Sequence, residues 1–459
     1  MSSYRSLSFW HDTVGEDLHP RPSLPGDIVA DVAIVGAGYT GLWTAYYLKR
    51  QQPDLRVVVI ESEIAGFGAS GRNGGWCLGE MAGDKDRLAK RHGRGPVMAL
   101  MREMFATVDE VGKVAAAEGI DCHFHKGGIL AFATNTAQFV SLHEVIQNER
   151  SWGFGQDDFR WLGPAELSEQ ARVAGSQGAL YTPHGAALHP ARLARGLARA
   201  VEGLGVSIFE QTRAESIEPK MVRTNRGVVK ADTVLRCTEA FTVQLPGQGR
   251  TYLPVYSLMI ATEPLSTDFW DSVGFEDRPT FADARRLIIY GQRTLDGRLA
   301  FGGRGAHYHF RSKLDPSYEQ ERSVHDAVQK ILWDLFPELG NATVTHRWGG
   351  AVAVTRDWQP SVRFDKETGM GHAGGYVGDG VAASNLGGRT LADLVLERDT
   401  DITRLPWVGH RSKKWEPEPL RWIGVNAASR LVPAIDRGEA RSGRPSRVLG
   451  AALKRLTGR

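Results

Sequence analysis

Three observations predict an alternating α/β chain whose nucleotide-binding domain is interrupted by antiparallel segments and resumed near the C terminus. A short apolar strand, 32–35, passes into a helix through Gly36, Gly38 and Gly41. Two hairpin patterns, 221–237 and 285–304, break the α/β alternation. The stretch GHAGGYVGDGVAASNLGGRTLADLVLER, 371–398, then repeats the order strand, glycine turn, helix. With 459 residues and 42% apolar content, the chain is long enough for two or three domains.

The elements follow from periodicity. After the first glycine turn, Leu42, Ala45, Tyr46 and Leu48 recur at helical spacing, and Val57 to Ile60 reads as a second buried strand. Residues 81–118 are expected to be helical. DCHFHKGGILAFAT, 121–134, suggests a strand, a Gly-Gly turn and another strand. Pro190 suits a first helical turn, and Leu193, Leu197, Val201 and Leu204 then line one face. VSIFEQ, 206–211, reads as a strand, and the hairpins turn at Asn225–Gly227 and at Asp296-Gly297. A helix is expected over Ser317 to Leu335. The division drawn from this pattern gives 28–118, 150–238 and 340–400 to the nucleotide-binding domain. It gives 119–149 and 239–339 to an inserted antiparallel-sheet domain that meets substrate, and 401–459 to a basic C-terminal tail.

The first motif has a physical reading. G-x-G-x-x-G between strand and helix is the Rossmann-like fingerprint: a tight turn at Gly36, close approach to a pyrophosphate at Gly38, helix–strand packing at Gly41. The phosphates then lie on the helix N-terminus, beside Tyr39 and Thr40. Glu61, with Ser62 after it, ends the second strand and can accept from both ribose hydroxyls; its charge argues against a 2′-phosphate. IAGFGASGRNGGW, 64–76, follows directly. Gly68, Ala69, Ser70, Asn73, Gly74 and Gly75 offer backbone donors with little side-chain bulk, and Arg72 can face a pyrophosphate or an acidic substrate. An NAD-dependent dehydrogenase would leave that loop unexplained.

DVAIVGAGYTGLWTAYYL, IESEIAGFGASGRNGGW, HPARLARGLA and GGYVGDGVAASNLGGRTLADL, in this order, resemble the D-amino-acid oxidase-like FAD oxidoreductases. GFGASGRNGG, DGRLAFGGR and PWVGHRSKKWEPEPLRWIG are most similar to the gamma-glutamylputrescine oxidase branch. The resemblance covers about residues 28–425. It implies a glutathione-reductase-type FAD-binding domain and places Gly378, Gly380, Val381 and Ala382 at the pyrimidine edge of the flavin. It further implies oxidation of a C–N bond in a small amine or amino acid, a gamma-glutamyl-polyamine-like compound included. Hydride would leave the carbon beside a neutral amine for flavin N5, and water would hydrolyse the imine. Molecular oxygen or another acceptor takes the electrons, oxidase being favoured over dehydrogenase. The loop Gly66–Gly75 holds no Cys or His, so FAD is expected to be non-covalent.

Substrate contacts are expected from the antiparallel segments: Tyr252 and Tyr256 on one face, Tyr290 at the start of a hairpin, and Trp348, which matches a family tryptophan near the flavin. Arg72, Arg293 and Arg304 are candidate carboxylate anchors. Glu263, Asp283 and Asp296 sit toward strand ends, so an aromatic pocket without a carboxylate at the nitrogen is expected. His123 with His125, and His307 with His309, have i, i+2 spacing, but polar strand positions are the commoner use and no metal is expected. Two readings compete. A flavin hydroxylase shares the Gly378-Asp379 pair but lacks its usual histidine here, and a non-catalytic flavin-binding assembly subunit would keep the loops without turnover.

A net charge of +3 implies no nucleic-acid partner. Cys77, Cys122 and Cys237 form no framework, and the first 20 residues show no apolar core of signal-peptide length, which reads as a cytoplasmic protein. PSRVLGAALKRLTGR, 445–459, sets Val448, Leu449, Ala452, Leu453 and Leu456 opposite Arg447, Lys454 and Arg455. Such a basic helix docks more commonly on its own body or on a second subunit of a homo-oligomer than on a membrane.

Overall fold

Val32–Val35 and Val57–Ile60 are apolar and buried along their whole length, as strands covered on both faces are, and with Val228–Arg236 they form the centre of a parallel sheet. The computed structural model describes residues 4–304 and 308–446. The first sheet runs in the order Ser361–Asp365, Met370–Gly374, Val228–Arg236, Ile28–Val35, Val57–Ile60, Ser207–Phe209. Its inner pairings are parallel, with Val32 opposite Val57 and Ala33 opposite Val234; the Ser361–Asp365 edge is antiparallel. The hairpin of Met221–Thr224 with Val228–Arg236 closes at the expected turn. The helices Tyr39–Gln51 and Gly380–Val395 pack together in one core. A Cβ on Gly388 would stand 2.6 Å from Trp43 Cβ and 2.8 Å from Thr44 N, so only glycine permits that approach.

The second sheet runs Val344–Val354, Leu253–Thr262, Leu299–Arg304, Ile289–Arg293, Thr280–Asp283, Ile129–Phe132, Ala179–Thr182, Arg160–Leu162. All its neighbours are antiparallel except Thr280–Asp283 with Ile129–Phe132. Helix Arg322–Leu335 seals one face through Val328, Leu332 and Leu335.

The structure corrects the sequence-based division at three strands. Arg160–Leu162, Ala179–Thr182 and Val344–Val354, assigned by sequence to the nucleotide-binding domain, belong to the second sheet. Ile129–Phe132 has an edge that Ala179–Thr182 fills, and Val344–Val354 pairs along the whole of Leu253–Thr262. The strand expected at 121–126 also fails to form. His123 lies in the left-handed region (φ 55°), and only His125 bridges, to Ala187. The expected 81–118 helix is two, Lys85–His92 and Arg94–Ala117, divided at Gly93 (φ 84°). The segment after 401 is more than a tail: Trp407 and Trp415 are buried, Trp415 Nε1 donates to Val354 O (2.8 Å), and helix Leu420–Ser442 is anchored by Asp436 and Glu439 to Arg286. The amphipathic pattern from Arg447 onward lies outside the described residues. Among the described residues no helix is long and apolar enough to cross a membrane.

Candidate functional site

The strand Ile28–Val35 ends in Gly36 (φ 108°), whose N–H donates to Ile60 O (2.8 Å) and ties the first turn to the next strand. A Cβ on Gly41 would lie 2.0 Å from Gly36 O, so the helix starts against the turn itself. Glu61 leaves the neighbouring strand at the same level. Its Oε2 accepts from Ala37 N (2.8 Å), while Oε1 accepts from Glu63 N (3.0 Å) and Ser62 Oγ (3.2 Å). Burial raises its pKa above the ordinary carboxylate value, opposed by those donors.

The second glycine loop folds over the first. Ser70 Oγ accepts from Tyr39 N (2.9 Å), and Gly66 N donates to Ala37 O (3.0 Å). Asn73 ties the loop internally, donating to Ala69 O and Ser70 O and accepting from Gly75 N. Side-chain N–H groups from elsewhere hold its backbone. Trp10 Nε1 donates to Asn73 O (2.8 Å), Trp348 Nε1 donates to Arg72 O (2.9 Å), and Gln292 Nε2 donates to Gly74 O (2.7 Å). Gly75 (φ 70°) is required there, since a Cβ would meet Gln292 Nε2 at 2.0 Å.

The third part is the turn Gly374–Asp379 before helix Gly380–Val395. Glu239 Oε1 accepts from Gly375 N (2.8 Å) and Tyr376 N (3.2 Å). Tyr376 OH in turn meets Thr40 Oγ1 (3.1 Å), which locks the two helix N-termini side by side. Neither helix is closed by its N-cap side chain, so both present positive dipole ends to one cavity. Burial pushes the Glu239 carboxyl up to about 7 against the pull of those backbone donors and Arg236.

That cavity, about 550 Å³, is lined by Tyr39, Thr40, Ala69, Ser70, Asn73 and Gly74 on one side and Gly378–Val381 on another. The second sheet supplies its floor with Ser257, Tyr290, Arg304 and Gly350–Ala353. Tyr290 OH lies 2.7 Å from Ser257 Oγ, and Arg304 donates to Val377 O. Of the substrate candidates, Arg72, Tyr290 and Arg304 line the cavity, while Arg293 lies over the Trp270 ring instead. Tyr252, Tyr256 and Trp348 do not: the tyrosines pack with Leu258, Ala351 and Ala353, and Trp348 with Phe9 and Trp10. Strand alternation located their face but could not tell a cavity from a core.

Arg72 is 5% exposed and its Nη1 is paired with Glu319 Oε2 at 2.6 Å, so its charge is already met. Glu80, Glu149, Glu239 and Asp379 line the cavity, and Glu263, Asp283 and Asp296 do not. Glu80, Glu149 and Glu239 sit in segments with no local motif, whereas Asp379 belongs to the Gly378-Asp379 pair of the second glycine turn. The N-terminal clamp was also missed; Phe9-Trp10 was its one signal. His125 pairs with Asp277, His307 lies outside the described residues, and no group of three or more metal-ligating side chains occurs among the described residues.

The donor set fits FAD. Two uncapped helix N-termini suit a pyrophosphate and a flavin edge, and Glu61 suits a ribose. Glycine keeps the cradle open, for a Cβ on Gly38 would meet Ser70 Oγ at 3.0 Å and one on Gly378 would meet Arg304 Nη2 at 2.6 Å. A family model described as "DAO: FAD dependent oxidoreductase" matches residues 31–394. The chain is 32% identical over 397 residues to gamma-glutamylputrescine oxidoreductase of Escherichia coli, covering 84% of this chain and 89% of the relative. It is 30% identical over 406 residues to the probable oxidoreductase OrdL of Haemophilus influenzae, covering 86% and 89%. Glycine oxidase from Geobacillus kaustophilus superposes with a TM-score of 0.66 at 22% identity, over 84% of this chain and 100% of that one. L-Amino acid deaminase from Proteus myxofaciens does so with 0.67 at 16%, over 87% and 96%. At these identities the structures show a common fold, and the sequence matches show more: this chain belongs to the DAO family of FAD-dependent oxidoreductases.

Proposed function

We propose that this protein is an oxidase of a small amine, gamma-glutamyl amines included, with FAD bound non-covalently. The observation that carries the reading is the single cavity in which both helix N-termini meet the floor formed by Ser257, Tyr290 and Arg304. The E. coli relative, whose name specifies an amine substrate, supports it.

When bound, FAD supplies the two-electron acceptor for oxidation of the carbon beside the amine nitrogen. Glu61, the Gly36–Gly41 turn and the loop Gly68–Gly75 would hold its adenosine and pyrophosphate; Gly378, Gly380, Val381 and Ala382 would meet its far edge. The chain's own groups do the rest. The paired dipoles stabilise negative charge where the helices converge. Tyr290, fixed by Ser257, presents a rigid aromatic wall that orients an alkyl group and excludes water. Arg304 fixes the Val377 carbonyl and so the turn that carries Gly378. Arg72 is neutralised by Glu319, which favours a simple amine over a carboxylate-anchored amino acid. The cysteines accord with non-covalent FAD: all three are buried, none of them lines the cavity, and burial pushes Cys237 up to about 12 and Cys122 to about 11 and raises Cys77 as well.

The test is turnover of a panel of aliphatic amines, gamma-glutamyl amines and amino acids, following aldehyde, ammonia or freed amine, and hydrogen peroxide. Overall, amine, water and oxygen give carbonyl product, the released nitrogen compound and peroxide. Oxidation of amines with one peroxide per carbonyl is expected. Oxidation of amino acids alone, or carbonyl product without peroxide, would overturn the substrate or the oxidase assignment respectively.

A further inference from the structure

Helix Leu420–Ser442 has two different faces. The inner one is seated on the body of the protein: Ala428 and Ile435 are buried, Arg421 Nη1 donates to Gly249 O (3.0 Å), and Asn426 Nδ2 donates to Tyr308 O (3.1 Å). The two carboxylates of the helix are turned the same way. Asp436 accepts from Arg286 N (2.8 Å) and Leu287 N (3.0 Å), and Glu439 accepts from the Arg286 guanidinium (2.6 Å). The helix is therefore a fixed platform, and it has no acidic side chain left for its outer face.

On that outer face Leu420, Ile423, Ala427, Leu431 and Ala434 recur at three- and four-residue spacing, which aligns them in one row. All five are exposed, Leu420 at 63%, Ile423 at 54% and Leu431 at 41%, and Trp422 adds an exposed indole near the N-terminal end. Scattered exposed leucines need no explanation, but an apolar row along one helix does. The row is bordered by Arg430, Arg437 and Arg441, which are exposed and form no ion pair among the described residues.

Charge decides what covers this face. Two copies of the helix packed face to face would set arginines against arginines with no carboxylate between them. The segment 445–459 carries Arg447, Lys454, Arg455 and Arg459 and no acidic residue, so it meets the same repulsion. We propose that the outer face of helix Leu420–Ser442 docks on an anionic membrane surface, the helix lying in the plane of the interface. The apolar row sinks toward the acyl chains, and the guanidinium groups donate to lipid phosphates. This contact is independent of which substrate the cavity takes.

Sedimentation of the full-length holoenzyme with vesicles tests it, using phosphatidylcholine alone and phosphatidylcholine with roughly one third phosphatidylglycerol, at low and high salt. Anionic vesicles are expected to bind at least about tenfold more tightly than neutral ones, and less tightly as salt rises. Ile423→Glu with Leu431→Glu, and separately Arg430→Glu with Arg437→Glu, should each lower that affinity at least about tenfold while flavin content and melting temperature hold. Leu449→Glu with Leu453→Glu, in the C-terminal segment, should leave it unchanged. Absence of binding, or equal binding to neutral and anionic vesicles, would overturn the proposal. Binding that survives both helix variants and is lost in the C-terminal one would overturn it too, by moving the contact to that segment. Light scattering tests the second copy: a dimer that Ile423→Glu with Leu431→Glu converts to monomer would assign the row to self-association and refute the lipid contact.

Discussion

Replacing Trp10 should loosen FAD although Trp10 is not part of the cavity lining. Its ring is 2% exposed, with centroids 4.8 Å from Phe9, 4.9 Å from His189 and 6.2 Å from Trp348, and its Nε1 donates to Asn73 O. Trp10→Ala removes a buried aromatic, a loss of about 3–5 kcal/mol against a usual total stability of roughly 5–15 kcal/mol. The variant should therefore fold with a clearly lowered melting temperature. Trp10→Phe keeps most of the ring and removes one hydrogen bond, worth about 1 kcal/mol. If that bond holds the cofactor loop in its binding geometry, its loss appears in FAD affinity as an increase of about fivefold in Kd. The assay is reconstitution of stripped apoprotein with FAD, followed by flavin fluorescence, beside thermal melts of apo and holo forms. An unchanged Kd in Trp10→Phe together with a lowered apo melting temperature would refute the reasoning, since Trp10 would then stabilise the fold without positioning the loop.

Glu61→Ala should yield folded protein that is colourless or weakly yellow, because two charge-assisted acceptors for the ribose disappear; full flavin occupancy would remove Glu61 from the site. Acid precipitation should release the yellow colour into the supernatant, and flavin retained in the pellet would contradict non-covalent binding. Glu239, raised by burial to about 7 from an ordinary 4.5, binds its proton more tightly folded than unfolded, so its ionisation costs stability as pH rises from 4.5 to 7 and the full cost remains above that. Glu239→Gln should accordingly gain in melting temperature relative to wild type between about pH 5 and pH 8; a pH-independent difference would contradict the raised pKa.

The nucleotide-binding half of the fold was legible because its signals are local. Gly36, Gly38 and Gly41 report one turn, Val57 to Ile60 one buried strand, and Gly374 to Gly380 a second helix start, each within a few residues of its cause. The second sheet was legible chiefly in one hairpin, Ile289–Arg293 with Leu299–Arg304. Arg160–Leu162 and Ala179–Thr182 span three and four residues, too short for a period, and their partners come from Ile129–Phe132 and from each other. The site divides the same way. The glycines and Glu61 carry a motif, whereas Gln292, Glu239, Glu80 and Trp10 matter through neighbours between 63 and 299 positions away. Trp348 shows the converse: it is near the cofactor loop, through Arg72 O, yet its ring is core.

The central claim is that FAD in this cavity takes electrons from an amine, and anaerobic rapid mixing of the yellow holoenzyme with putrescine and with gamma-glutamylputrescine tests it most directly. The protonated nitrogen has no lone pair to support the carbon as it is oxidised, and free alkyl amines titrate near the lysine value of about 10.4. The account predicts loss of the flavin band near about 450 nm, at a rate that rises with pH as the neutral amine becomes available. Bleaching by NAD(P)H alone, or an amine-driven rate that stays flat from about pH 6 to pH 10, would contradict it.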